Sequence, residues 1–323
     1  MSAFSRPQAA AGLQSGAHPL NGRALLPASE MSQPNPTSDS SAPSQAGAGD
    51  PPAPDGMPVG LPALRAELDR IDDTLHDLLM QRAKVVEHVG RSGKRSAFRP
   101  GREASIVRRL VARHHGSLPV QTIFRMWREM LAGTTGMQAP VIVAVCETDA
   151  GGAMTQTARE HFGSLTPVHI HRSPARALAE VSTGTASVAV LPYPTDTDLW
   201  WTTLLHQEPR VHIIARLPFW GRRTEGAPTI NAVVVAADAP DASGADRSFL
   251  CMELAQETSR TRLSSALAAA GLKPDDIVMR GNQLLVEVDG YVPSDDPRLA
   301  QLAEIGRPVV LGAYAIPVAE GTP

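Results

Sequence analysis

Aromatic residues are scarce in this chain, at 4% of 323 positions, so any core must rest mainly on Leu, Val and Ala. Cysteine is almost missing: Cys146 and Cys251 stand far apart and match no metal or redox spacing. A disulfide framework is thereby excluded, and two free thiols in a reducing compartment, the cytoplasm, are expected. No apolar run approaches the roughly 20 residues that cross a bilayer. The start of the chain lacks the charged-then-apolar layout of a secretory signal. Net charge is −3, and no basic block exceeds short Arg pairs. That argues against a nucleic-acid binder, because a phosphate backbone demands a concentrated positive surface.

What is present is enough apolar residue, 42%, and little enough charge, 20%, for two or three cored domains. Residues 1–58 are the exception. They are rich in Pro, Ser, Ala and Gly and hold ten of the 28 prolines. Such a segment cannot bury enough apolar surface to offset its ordering entropy, and a disordered tail is predicted. Met31 and Met57 offer alternative starts nearer the folded part.

Residues 59–139 read as three helices. Leu61, Leu64, Leu68, Ile71, Leu75, Leu78 and Leu79 recur at three- and four-residue spacing, and the pattern continues through Val85, Val86 and Val89 to Gly90 and Gly93. Thirty such residues make a rod of about 45 Å. No small helical domain covers a rod of that length, so a second copy is expected along it and a homodimer is predicted. A second helix after Pro100 presents Ile106, Val107, Leu110 and Val111, and ends at His114–Gly116. A third after Pro119 presents Ile123, Met126, Trp127, Met130 and Leu131.

Beyond Pro140 the texture alternates. Strands are predicted over 141–145, 187–191, 211–215 and 232–236, with helices over 158–162 and 175–181, the latter capped by Ser173 and opened by Pro174. Residues 140–240 are thus expected to form an α/β domain. Residues 246–318 show a βαββαβ-like order, with strands over 249–254, 284–288 and 309–314, a helix over 259–270, and a short helix opened by Asp296–Pro297. That order predicts a small α+β ferredoxin-like module. Trp200, Trp201 and Trp220 read as core or interface, and His169 and His171 as strand neighbours with no metal.

The chemical signal lies where polar residues interrupt apolar stripes. Arg82 falls four residues beyond Leu78 and four before Val86, and Arg65 four beyond Leu61. Glu103 precedes Ile106 and Val107 by three and four, and the third helix runs on into Thr134 and Gln138. Singly, each has a plain reading: the arginines reach solvent along their stems, Glu103 favours a helix N-terminus, and Thr134 and Gln138 belong to a frayed last turn. Together they outline a polar pocket for a small anion carrying hydroxyl groups.

In LPALRAELDRIDDTLHDLLMQRAKVVEHVG (61–90), RPGREASIVRRL (99–110), and IFRMWREML with Gln138, the segment resembles the all-helical chorismate mutases. The resemblance implies rearrangement of chorismate to prephenate in aromatic amino acid biosynthesis, with no cofactor, metal or covalent step. It implies that Arg82 holds a substrate carboxylate, that Arg65 reaches in from the partner subunit, and that Glu103 takes the ring hydroxyl. Gln138 would donate to the ether oxygen, Thr134 would stand near a carboxylate, and Arg102 would supply nearby charge. One departure is plain. The family places a lysine three residues after the glycine matching Gly90, where this chain has Gly93, with Lys94 next. A one-residue shift of the loop would bring Lys94 in. Without it a weakened enzyme is expected, since one preorganised donor contributes about 3 kcal/mol of a total of at least about 8 kcal/mol.

VAVCETDAGGAMTQTAREHFG (143–163) and SVAVLPYPTD (187–196) resemble a shortened prephenate dehydratase region. The Thr-Arg-Phe motif of that family has no counterpart near Asn231–Ala237, so dehydratase activity is expected to be absent. Residues 246–317 resemble the amino-acid-sensing (ACT-like) module that follows such dehydratases, without its Gly-Ala-Leu and Glu-Ser-Arg-Pro ligand signatures. The alternatives are a bifunctional mutase–dehydratase and a non-catalytic regulator that binds chorismate.

Overall fold

The computed structural model describes residues 60–91, 98–221, 223, 225–254 and 258–318. The expected disordered tail and Lys94 lie outside these residues.

Three helices lead: α1 (Leu61–Arg91), α2 (Pro100–Ala112) and α3 (Val120–Gly136). α1 runs through Gly90 rather than stopping there. The glycine fits because the Gln138 side chain lies across it, with Cγ 3.4 Å from where a Cβ would stand. No residue of α1 is buried. Pro100 opens α2, where its missing N–H costs nothing. The N–H groups of Gly101 and Arg102 donate to the Asp241 carboxylate, 2.8 and 3.2 Å away, so the cap comes from a distant loop.

The inward face of α3 differs from the expected one. Phe124, Arg128, Leu131 and Thr135 are buried, Ile123, Trp127 and Met130 are half-buried, and Met126 is exposed. The reason is tertiary. Phe124 and Leu131 pack with Ala104 and Val107 of α2 in a core that includes Phe219, Trp220, Ala315 and Val318. The C-terminal half therefore covers a face of α3 that the helical segment alone would leave bare.

Nine strands follow: β1 (Val143–Cys146), β2 (Val168–His171), β3 (Val188–Pro192), β4 (His212–Leu217), β5 (Ala232–Ala236), β6 (Asp246–Leu254), β7 (Pro274–Arg280), β8 (Gln283–Asp289) and β9 (Gly306–Ala315). They form one sheet in the order β2-β1-β3-β5-β4-β9-β6-β8-β7. β1 pairs in parallel with β2 and β3, with α4 (Ala153–Phe162) and α5 (Pro174–Ser182) as the crossovers that parallel pairing requires. β1 and β5 are buried along their whole length, which is why they read as unbroken apolar runs.

The last four strands run antiparallel as β9-β6-β8-β7, with α6 (Arg260–Ala269) between β6 and β7 and a 3-10 helix, Pro297–Leu302, before β9. This is the expected ferredoxin-like order. The period of two along β6 serves two cores. Leu250, Met252 and Leu254 pack with α6, whereas Phe249 and Cys251 join the core around Trp201 and Leu204. The α/β and ferredoxin-like parts, expected as separate sheets, are joined where Ile213 of β4 meets Gly312 of β9.

Candidate functional site

The second half of α1 runs beside the C-terminal half of α3. There the Arg82 guanidinium is half-buried, with Nη1 3.4 Å from Thr134 Oγ1. Burial pulls the Arg82 pKa down, and the Glu103 carboxylate opposes that shift. The Thr134 hydroxyl donates to the Met130 carbonyl at 2.9 Å, which leaves its lone pairs toward Arg82. Gln138 Nε2 lies 3.4 Å from the Thr134 carbonyl, and its side chain is exposed against Gly90. Arg82, Thr134 and Gln138, far apart in sequence, thus lie along one seam. The Arg82–Thr134 and Gln138–Thr134 hydrogen bonds are long, at 3.4 Å, and much of the bonding capacity of Arg82 and Gln138 remains for a ligand.

Glu103 of α2 is near enough for its charge to act on Arg82. Its carboxylate accepts a 2.9 Å hydrogen bond from Nη2 of Arg128, a pair of side chains only 16% and 5% exposed. Arg128 was not singled out in the sequence, because the face read for α3 was its neighbour. The spacing Phe124, Arg128, Leu131, Thr135 carries the signal: a cation where a stripe should be apolar. Arg128 Nε and Nη2 also donate to the His161 carbonyl at 3.3 and 3.1 Å. His161 is half-buried against Phe162, their rings edge to face. Burial, and then the charge of Arg128, hold its pKa well below the usual imidazole value.

The remaining expected residues are elsewhere. Arg65 is exposed and has no polar partner among the described residues. Seventeen residues of helix separate it from Arg82, about 25 Å, so one chain cannot bring both to one small ligand. The Arg102 side chain is exposed, and only its backbone is engaged, by Asp241.

A separate cleft, of about 720 Å³, lies between α3, α4 and the loop after β1, and none of the expected residues lines it. Its acids are already engaged. Glu147 accepts from the N–H groups of Met154 and Thr155 at the start of α4, Glu129 binds Ser164, and Glu160 binds Arg223. The seam, which brings together the expected Arg82, Thr134 and Gln138, is the better candidate.

Residues 64–139, which contain the seam, match the family model described as chorismate mutase type II. The helical segment is a type II chorismate mutase domain. The bifunctional chorismate mutase/prephenate dehydratase of Pseudomonas aeruginosa is 27% identical over 147 residues, covering 43% of this chain and 40% of that protein. The protein of the same description from Neisseria gonorrhoeae is 30% identical over 100 residues, 31% of this chain and 27% of that one. The chain therefore spans less than half the length of the curated relatives it matches. Among solved structures, prephenate dehydratase from Streptococcus mutans is similar over 54% of this chain and 97% of that chain, at 14% identity and a TM-score of 0.40. No described helix is long and apolar enough to cross a membrane.

Proposed function

We propose that this protein is a chorismate mutase acting on chorismate without cofactor or covalent intermediate. The observation that carries the reading is the half-buried Arg82 beside Thr134 and Gln138, inside a segment matching that family. In the rearrangement one C–O bond breaks and one C–C bond forms within the substrate, so no proton acceptor is needed. The protein must hold a compact conformer and stabilise charge on the ether oxygen. Arg82 holds a substrate carboxylate, Thr134 supports it, and Glu103 accepts from the ring hydroxyl. Gln138 donates to the ether oxygen, Lys94 is the second donor there, and Arg102 contributes nearby charge.

The site is completed by a second copy. The exposed stripe of α1 covers a homodimer interface, and Arg65 crosses it to the partner's substrate. The proposed setting is the cytoplasm, where the two buried free thiols stay reduced.

Similarity to the bifunctional chorismate mutase/prephenate dehydratases favours a second reading, a bifunctional mutase–dehydratase. Against it, residues 232–236 form a buried strand of Ala and Val alone, at the place where the dehydratase family's Thr-Arg-Phe motif is missing. The effector signatures of the C-terminal module are missing too. One assay separates the readings: chorismate loss followed by ultraviolet absorbance, then tests for prephenate and phenylpyruvate. Enzyme-dependent phenylpyruvate from prephenate would establish the second reading. Chorismate bound but unchanged would establish a regulator.

A further inference from the structure

We infer that Arg128 is a positioning residue that keeps Glu103 off Arg82, and that the α/β half of the chain works through it. This rests on the mutase reading above. Glu103 accepts a hydrogen bond from the Arg128 guanidinium of α3 and acts through space on the charge of Arg82 of α1. Left to itself, a carboxylate near Arg82 would close on it and neutralise the cation meant for the substrate.

Arg128 prevents that closure because it is held from behind. Two of its nitrogens converge on the His161 carbonyl, one of the last carbonyls of α4, which have no partner within the helix. The negative end of the α4 dipole favours a cation there. The His161 ring beside it is uncharged, and its Nε2 lies 3.2 Å from Arg128 Nη2, so it adds no repulsion. The chain thus fixes Glu103 with an arginine from the mutase domain that is itself seated on the α/β part.

The test uses the full-length protein and chorismate as substrate. Arg128→Met is expected to raise KM at least tenfold, because the released Glu103 pairs with Arg82. Glu103→Gln in that background should return KM to the value of Glu103→Gln alone, since the freed acid is gone. A merely structural role for Arg128 would leave the double variant as impaired as the single one, and that result overturns the inference. Wild-type KM in Arg128→Met overturns it too, while leaving the mutase reading intact. If Arg128→Met does not fold, Arg128→Lys carries the test. A shorter, single-pronged cation should raise KM several-fold, and an unchanged KM refutes the role. A wild-type protein that leaves chorismate untouched overturns the mutase reading and this role with it.

Discussion

A guanidinium that is half-buried beside a hydroxyl, as Arg82 is, has lost water without an ion pair among the described residues, although the Glu103 charge acts on it. That is the state in which a bound carboxylate gains most. Arg82→Ala and Gln138→Ala are each expected to lower turnover of chorismate about 100-fold or more, the usual effect of removing one preorganised donor. Wild-type-like rates in both would remove the proposed site. His161 carries a separate consequence. Its folded pKa is depressed, whereas the unfolded side chain titrates near about 6.5. Below that pH the unfolded state binds the extra proton, so stability is lost as pH falls through about 6.5 and levels off above it. Thermal midpoints should drop between about pH 7.5 and pH 5, with a shallower slope in His161→Gln. Parallel curves for the two proteins would exclude His161 as the source.

Elements in this molecule are tied at their ends and at their close approaches. α2 is started by Asp241 and held along its length by Arg108, which donates to Ser243 Oγ at 2.8 Å, to the Ala245 carbonyl at 2.9 Å and to the Ile316 carbonyl at 2.6 Å. The two parts of the sheet meet at Gly312, whose φ of +146° and contact with Ile213 leave no room for a side chain. A Cβ there would stand 2.0 Å from the Ile213 carbonyl oxygen. Gly312→Ala should therefore cost about 3 kcal/mol, from overpacking against backbone that cannot retreat. A denaturant midpoint equal to the wild type would show that the junction yields. Across the same junction the buried Glu287 of β8 accepts from the Tyr193 and Tyr314 hydroxyls and from Arg247. Burial and that carboxylate push the Tyr314 pKa up to about 12, so its hydroxyl remains a donor.

At the scale of the whole molecule, α1 is the unfinished part. Leu68 is 60% exposed, Leu75 49% and Leu78 55%, along a stripe that ordinary surfaces do not leave open to water. A second copy along the rod would cover it and would also place Arg65 at a site its own chain cannot reach. Leu68→Glu combined with Leu75→Glu should give a monomer by light scattering, with turnover lost. A fully active monomer would refute the shared site. Within the chain, α2 and α3 share a core with Phe219, Trp220, Ala315 and Val318, so two of the three helices are packed against the C-terminal half.

The sequence by itself marked most helices and strands, because periods of 3.6 and 2 are local, but not β7, an edge strand with no buried residue to set a pattern. It also marked Arg82, Glu103, Thr134 and Gln138, because a polar residue interrupting an apolar stripe is visible along one helix. It did not show that Arg128 lies on the buried face of α3, because which face is buried depends on what packs there. Asp241 as the cap of α2, the grip of Arg108 on Ile316 208 residues away, and the joining of two sheets at Gly312 were decided only in the tertiary structure. Each is a contact between residues whose separation along the chain leaves no local pattern.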